Sequence, residues 1–395
     1  MELGAGTPLE HFRADVRAFV AAHAPGHQVR SGVRSPEDAE EYKDLQRWTA
    51  DLYAAGYLGA DWPAEWGGSP DHDPLRGVVV AEEIARARAP MPPSGSSLAA
   101  NALIGFGTEE QKARHLPPIR SGAHLWCQLF SEPDAGSDLA SLRTRAVHDG
   151  DGGGWTVNGQ KLWTTNGQWA RYGYLLARTD PDAPKHKGIS AFVLDMALPG
   201  VTVRPLRELT GTSDFNEVFL DDVRLPADAL IGAPGQGWTI ANASLAQERN
   251  GVGASVVRLQ LAVRDLIRDA SAVRIDGRAA LEHDDVRQQI ARLSAEVDAC
   301  ALLARDSTLG HLAGRGTPTD APMAKLFFSE LNLRIAEYAL TLLGPAGVLA
   351  EGDPDAVAHG RWQDAYLYAR AYTIAGGSSE IMRNIIAERG LGLPR

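Results

Sequence analysis

Two places in this chain carry residue types that could do chemistry. One is Glu248, in the run Leu245-Ala-Gln-Glu248-Arg249. Read as one helix from about 238 to 270, a 3.6-residue period puts Ala241, Leu245, Val252, Val256 and Leu259 on one face. Glu248 falls inside that apolar stripe, and Arg249 lies roughly 100° further round, too far to pair with it. A carboxylate in such a place is either paired with a cation from elsewhere or has a raised pKa and exchanges a proton. On the residues alone the two readings are balanced. The other place is the forty residues from 128 to 167. They hold Gln128-Leu-Phe130-Ser131-Glu-Pro-Asp-Ala-Gly136-Ser137-Asp138 and, after a glycine-laden turn, Trp155-Thr-Val-Asn-Gly159-Gln-Lys-Leu-Trp163-Thr-Thr165-Asn-Gly167. Singly these are turn signals, and Val157-Asn-Gly-Gln160 reads as a hairpin. Together they put an indole, short hydroxyls and backbone N–H groups at the ends of a few strands, a set that suits a flat, hydrogen-bonding aromatic ligand.

The elements that must position these groups follow from periodicity. Up to about residue 122 the pattern is helical, with apolar stripes through Leu9, Phe12, Val16, Phe19 and Val20 and through Tyr42, Leu45, Trp48, Thr49 and Leu52. Prolines at 63, 70 and 90–93 break it, and Thr108 with Gln111 has the spacing of a capping box. From 123 to 233 the period is two, with strands expected at Trp155–Val157, Tyr174–Ala177, Ile189–Leu194, Val201–Val203 and Glu217–Leu220. From 234 to 395 long amphipathic segments return, one through Val286, Ile290, Leu293 and Val297, another through Leu326, Leu331, Ile335 and Tyr338. The expectation is an α+β multidomain chain: helical domain 1–122, small β-barrel or sandwich 123–233, helical bundle 234–395.

Composition removes other classes. With 395 residues there is room for two or three packed domains. A net charge of −11 and no basic stripe argue against nucleic acid or an anionic membrane as partner. Cys127 and Cys300 show no ligand or disulfide spacing, so no metal is expected and a reducing cytoplasm fits. There is no evident signal peptide or membrane-span run, no GxGxxG after a strand and no phosphate-binding GxxxxGK.

The 128–167 block closely resembles the middle domain of the acyl-CoA dehydrogenases, whose motif runs T/S-E-P-x-A-G-S-D and then W-x-x-N-G-x-K-x-W-x-T-N-G. The resemblance implies their three-domain fold and an FAD whose ring lies here. Gln128, Phe130, Ser131 and Gly136 would belong to its site, Trp163 would pack against it, Thr165 would hydrogen-bond near N5, and Ser137 would sit between flavin and substrate. In that family the catalytic glutamate occupies one of two places. The commoner, before Gly-Thr in a Tyr-Glu-Gly-Thr segment, is Gly376 here, in Tyr372-Thr-Ile-Ala-Gly376-Gly377-Ser378-Ser379-Glu380. The other, on the first helix after the β domain as in isovaleryl-CoA and long-chain dehydrogenases, is Glu248. The resemblance therefore implies that Glu248 takes the α-proton of an acyl thioester while the β-hydrogen leaves to the flavin, giving a 2-enoyl thioester. The Gly376 N–H would stabilise the thioester oxygen and Arg249 would lie at the substrate. Ser378 and Glu380 would cap a helix beside the cofactor.

Two family elements are altered. Arg274-Ile-Asp-Gly277 stands for Arg-x-x-Phe-Gly, and Thr341-Leu-Leu-Gly344-Pro-Ala-Gly347 for Gln-x-Phe-Gly-Gly-x-Gly; Arg274 and Gly344 would serve an FAD across a subunit boundary. The expected assembly is a homotetramer, or an α2β2 heterotetramer in which unlike subunits divide these residues. The thioester would be of CoA or a carrier protein, with an electron-transfer flavoprotein as acceptor. A half-site or non-catalytic partner subunit and a flavin monooxygenase on the same scaffold are the competing expectations.

Overall fold

The computed structural model describes residues 7–26, 30, 32–150, 153–248 and 252–394, without the side chains of 246–248 and 252. Its helices begin with α1 (Pro8–His23), α2 (Ala39–Ala54), α3 (Pro74–Arg86), α4 (Ser94–Phe106) and α5 (Glu109–Arg120). Strands follow: β1 (Trp126–Leu129), β2 (Arg145–His148), β3 (Trp155–Thr165), β4 (Tyr172–Arg178), β5 (Ile189–Asp195), β6 (Val201–Leu206), β7 (Phe215–Leu225) and β8 (Leu230–Ile231). Then come α6 (Gly237–Glu248) and α7 (Val252–Ala272), the ribbon β9 (Arg274–Ile275) and β10 (Arg278–Ala279), and α8 (Asp284–Leu312), α9 (Asp320–Leu343), α10 (Arg361–Ile374) and α11 (Ser379–Ile385). The helical, β and helical order expected from the period is present. No helix among the described residues is long and apolar enough to cross a membrane.

The elements group into two compact units, Ser35–His72 with Pro92–Arg249, and Met1–Arg34 with Asp73–Met91 and Asn250–Arg395. In the first, the strands form one sheet in the order β6-β7-β3-β2-β4-β5-β8, with β1 parallel to β4. Strict alternation feeds two cores. Tyr174, Leu176, Ile189, Ala191 and Val193 point to the side packed with Leu98, Leu103, Leu116 and Ile240 of α4, α5 and α6. Leu175, Ala177, Phe192 and Leu194 point to the other, against Val157, Val218, Leu220 and Val223 of β3 and β7. The central strands are thus covered on both faces, which is why β4 and β5 read as continuous apolar runs. The capping box at α5 forms as its spacing predicts, with Thr108 Oγ1 accepting from the Gln111 N–H at 3.2 Å.

In the second unit α7, α8, α9 and α10 enclose Leu259, Leu293, Leu331, Ile335 and Trp362. The stripe of α1 buries Val16 and Val20 but also Arg13, whose guanidinium is 2.8 Å from Glu82 and 2.9 Å from Glu83 of α3.

One expectation crosses residues outside the described ones, and another is corrected. The segment 238–270 is described as α6 up to Glu248 and α7 from Val252, and residues 249–251, which a single helix would have to cross, lie outside the described residues. Ala241 and Leu245 pack in the sheet unit, whereas Val256 and Leu259 pack in the bundle. Glu248 is the last described residue of α6, and its place on the expected apolar face lies outside what is described. Secondly, Asn158-Gly159 is not a hairpin turn. It lies within the eleven residues of β3, at a register shift against β7. Asn158 exchanges hydrogen bonds with Asp222, and a Cβ on Gly159 would stand 2.4 Å from Thr144 Oγ1. The glycine serves close approach, not chain reversal.

Candidate functional site

In the sheet unit the site is built where β1 runs out and β3 bends. Phe130 follows β1, is buried, and meets the Tyr174 ring edge-on at 5.0 Å between centroids. Ser131 presents its carbonyl to the Leu162 N–H at 2.9 Å, which fixes the loop beside β3 one residue before Trp163. The next residue, Glu132, does not face a ligand. It is buried and accepts from the N–H groups of Arg143 (2.6 Å) and Thr144 (2.9 Å) and from Lys161 Nζ (2.8 Å). Lys161, fully buried, also donates to the Phe130 carbonyl at 3.0 Å. Burial alone would raise the Glu132 carboxyl, but Lys161 and the hydrogen bonds at Thr144 and Arg143 outweigh it, and the net shift is downward. Burial lowers the Lys161 ammonium to about 8 against the pull of Glu132, so both partners are charged at neutral pH. This pair ties both ends of the loop to one strand.

A second register shift, between Lys161 and Thr164, carries Trp163 outward. Trp163 has φ +60°, is 56% exposed, and touches the Phe215 ring only by its edge at 5.9 Å. A bulky residue at positive φ with its apolar face in solvent is costly on two counts and needs a purpose. The side chains of Gln128, Ser131, Ser137 and Thr165 make no hydrogen bond among the described residues, although Gln128, Ser131 and Thr165 are half-buried. Gly136 and Ser137 are exposed, and a Cβ on Gly136 would meet nothing within 4 Å. An exposed indole and unpartnered hydroxyl and amide side chains are the groups that the resemblance assigns to a planar flavin ring.

The other candidate residues lie in the bundle unit. After α10, the Ala375 N–H closes on the Ala371 carbonyl at 2.8 Å. Gly376 (φ +67°) and Gly377 (φ +101°) then turn the chain into Ser378, whose hydroxyl accepts from the Ile381 N–H at 3.3 Å and caps α11. The Gly376 and Gly377 N–H groups donate to no acceptor among the described residues. A Cβ at Gly376 would meet nothing within 4 Å, so no crowding explains the missing side chain. Glu380 is exposed in the first turn of α11, where its own backbone N–H and the Ser378 hydroxyl lower its carboxyl. Arg274 is exposed on the β9–β10 ribbon, 3.3 Å from the Gly277 carbonyl, and Gly344 ends α9 at φ +61°. The Glu248 side chain and the whole of Arg249 lie outside the described residues.

Sequence reasoning missed the Glu132–Lys161 pair. Its signal was available, since Lys161 shares strand parity with Trp155 and Val157, and a lysine on the inward side of a strand demands a partner.

Residues 8–123, 127–223 and 235–391 match, respectively, the N-terminal, middle and C-terminal domain families of acyl-CoA dehydrogenases. Acyl-CoA dehydrogenase IpdE1 of Mycobacterium tuberculosis is 39% identical over 98% of both chains. Among solved structures, the Tcur3481-Tcur3483 steroid ACAD superposes with a TM-score of 0.87 at 31% identity, covering 100% of both chains. The ChsE4-ChsE5 complex of Mycobacterium tuberculosis does so with 0.85 at 30% identity, again over 100% of both. With all three domains matched and relatives aligned nearly end to end, the chain belongs to the acyl-CoA dehydrogenase family.

Proposed function

We propose that the protein catalyses FAD-dependent α,β-dehydrogenation of a bulky, ring-bearing acyl-CoA, with Glu248 as the base. The observation that carries this reading is Gly376: the place of the family's commoner base has no side chain and open space beside it. Removing that carboxylate leaves room for an acyl group wider than a straight chain. Similarity to a steroid ACAD and to the two-protein ChsE4-ChsE5 complex supports the bulky acyl group and a heteromeric assembly.

Glu248 takes the α-proton. The Gly376 N–H, free of protein acceptors among the described residues, donates to the thioester oxygen as negative charge builds there. Trp163, Ser131 and Thr165 would hold the flavin ring, and Ser137 would lie toward the substrate. FAD, when bound, supplies the two-electron acceptor for the β-hydrogen. Arg274 and Gly344 would serve the cofactor across a subunit boundary, and Ser378 and Glu380 would stand beside it. An electron-transfer flavoprotein would reoxidise the enzyme.

The test is Glu248→Gln, assayed with a steroid side-chain acyl-CoA and with octanoyl-CoA. Flavin content should be unchanged and turnover should fall by about 10³- to 10⁴-fold, the scale of losing an essential acid–base group. Octanoyl-CoA oxidised as fast as the bulky thioester would sink the substrate class; an active glutamine variant would sink the base.

A further inference from the structure

Lys325 lies in the first two turns of α9, half-buried, in a position that no feature of the sequence singles out. Its Nζ donates to the Gly377 carbonyl at 2.6 Å. Burial lowers its pKa to about 8, against the opposing fields of Glu380 and Glu330. Those two carboxylates are engaged elsewhere: Arg383 of α11 bonds Glu330 and lies 4.0 Å from Glu380. An ammonium has therefore been partly desolvated, with its closest hydrogen bond going to one peptide carbonyl in a turn of two glycines.

That carbonyl is where a tether matters. Ala375 is anchored to α10 by its N–H, and Ser378 to α11 by its side chain. Between them Gly376 and Gly377 have the greatest backbone freedom of any residue pair, and neither N–H is held by the protein among the described residues. A donor that must meet a developing oxyanion is effective only if its direction is fixed beforehand. Holding the Gly377 carbonyl fixes the peptide plane that follows Gly377 and narrows the orientations open to the plane that carries the Gly376 N–H.

We propose that Lys325 is a positioning residue for proton abstraction, which keeps the Gly376–Gly377 turn set to donate the Gly376 N–H to the thioester oxygen. This rests on the reading of that N–H as the oxygen's donor. Deprotonating the lysine weakens the tether, so turnover should decline as pH rises through the lysine's pKa, opposite in sense to the rise as the basic carboxylate ionises.

The experiment compares Lys325→Met and Lys325→Arg with the unmodified holoenzyme, in complex with any partner subunit that copurifies. K325M should lower kcat about ten-fold with KM within two-fold, the loss expected of an interaction felt mainly in the transition state. K325R should recover most of it. The alkaline fall in kcat should be present in the unmodified enzyme and absent from K325M. A readout without turnover is the ionisation of bound acetoacetyl-CoA, followed by its ultraviolet absorbance: in K325M its enolate should form about one pH unit higher, a ten-fold loss of anion stabilisation. Unchanged kcat and unchanged enolate ionisation in a folded K325M overturn the proposal. So does a variant that is only less stable to heat, with the enolate pKa unmoved. If K325M does not fold, K325R and the alkaline limb of the unmodified enzyme decide: no decline through the lysine's range rejects the idea. An active Glu248→Gln would instead reject the base, whatever the lysine does.

Discussion

The two halves of the candidate machinery are held in opposite ways. On the sheet, the loop from Phe130 to Thr144 is fastened by a buried ion pair, three charge-assisted hydrogen bonds and a bulged strand. In the bundle, the turn after α10 is two glycines between a helix end and a cap, steadied by one lysine. The first arrangement presents a side chain, the Trp163 indole, and keeps it in an unfavourable backbone conformation by over-determining everything behind it. The second presents bare backbone N–H groups, which requires that side chains be absent. On the proposed reading, a platform for a planar ring is built by bracing, whereas an oxyanion site is built by clearing space and then restricting motion.

If that contrast is right, damage to the sheet site should appear first as lost stability. Lys161→Met leaves the Glu132 carboxylate buried without its cation and should cost about 3–5 kcal/mol of unfolding free energy, read by chemical denaturation. Acid acts on the same pair. The Glu132 carboxyl is held below its ordinary range, so its stabilisation is complete above the unfolded-state pKa and is lost as pH falls through the folded value. The variant's stability should therefore depend less on acid than that of the unmodified protein. A K161M protein as stable as its parent would mean that the loop is braced by something else.

Trp163→Ala separates bracing from presentation. Because the indole is 56% exposed and strained, its removal should leave unfolding nearly unchanged while weakening FAD binding about ten-fold, measured by flavin fluorescence on dilution. A large loss of stability with intact flavin binding would reverse the roles assigned to these residues.

The smallest effect is expected at the bundle turn. Ser378→Ala removes one cap and should cost about 1 kcal/mol by thermal unfolding. Its consequence for kcat should be smaller than that of losing Lys325, since the cap holds the helix and not the Gly377 carbonyl. Equal losses of kcat would place the control of the turn at α11 instead.

Much of this was legible beforehand, for identifiable reasons. The apolar strand-like runs Tyr174–Ala177 and Ile189–Leu194, and the 3.6 period through Val286 and Val297, are local signals, and the elements form where those signals lie. The Thr108–Gln111 and Ser378 caps are legible because their partners are three residues away. Period alone, by contrast, does not register that the two ends of the 238–270 stripe pack in different cores. Asn158-Gly159 failed because one dipeptide serves either a turn or a bulge, and the choice was made by Thr144, just before β2.

By itself, then, the amino-acid sequence determined the order of elements, the family and the absence of a side chain at Gly376. Those are properties of residues near one another along the chain or of motifs matched as strings. Only the tertiary structure decided that Glu132 turns inward to Lys161, that Trp163 is pushed out by a bulge, and that Lys325 reaches a carbonyl some fifty residues away. Each of these pairs a charge or a strained backbone with a partner distant in sequence. Burial, which sets the energy of such pairs, exists only once the chain has packed.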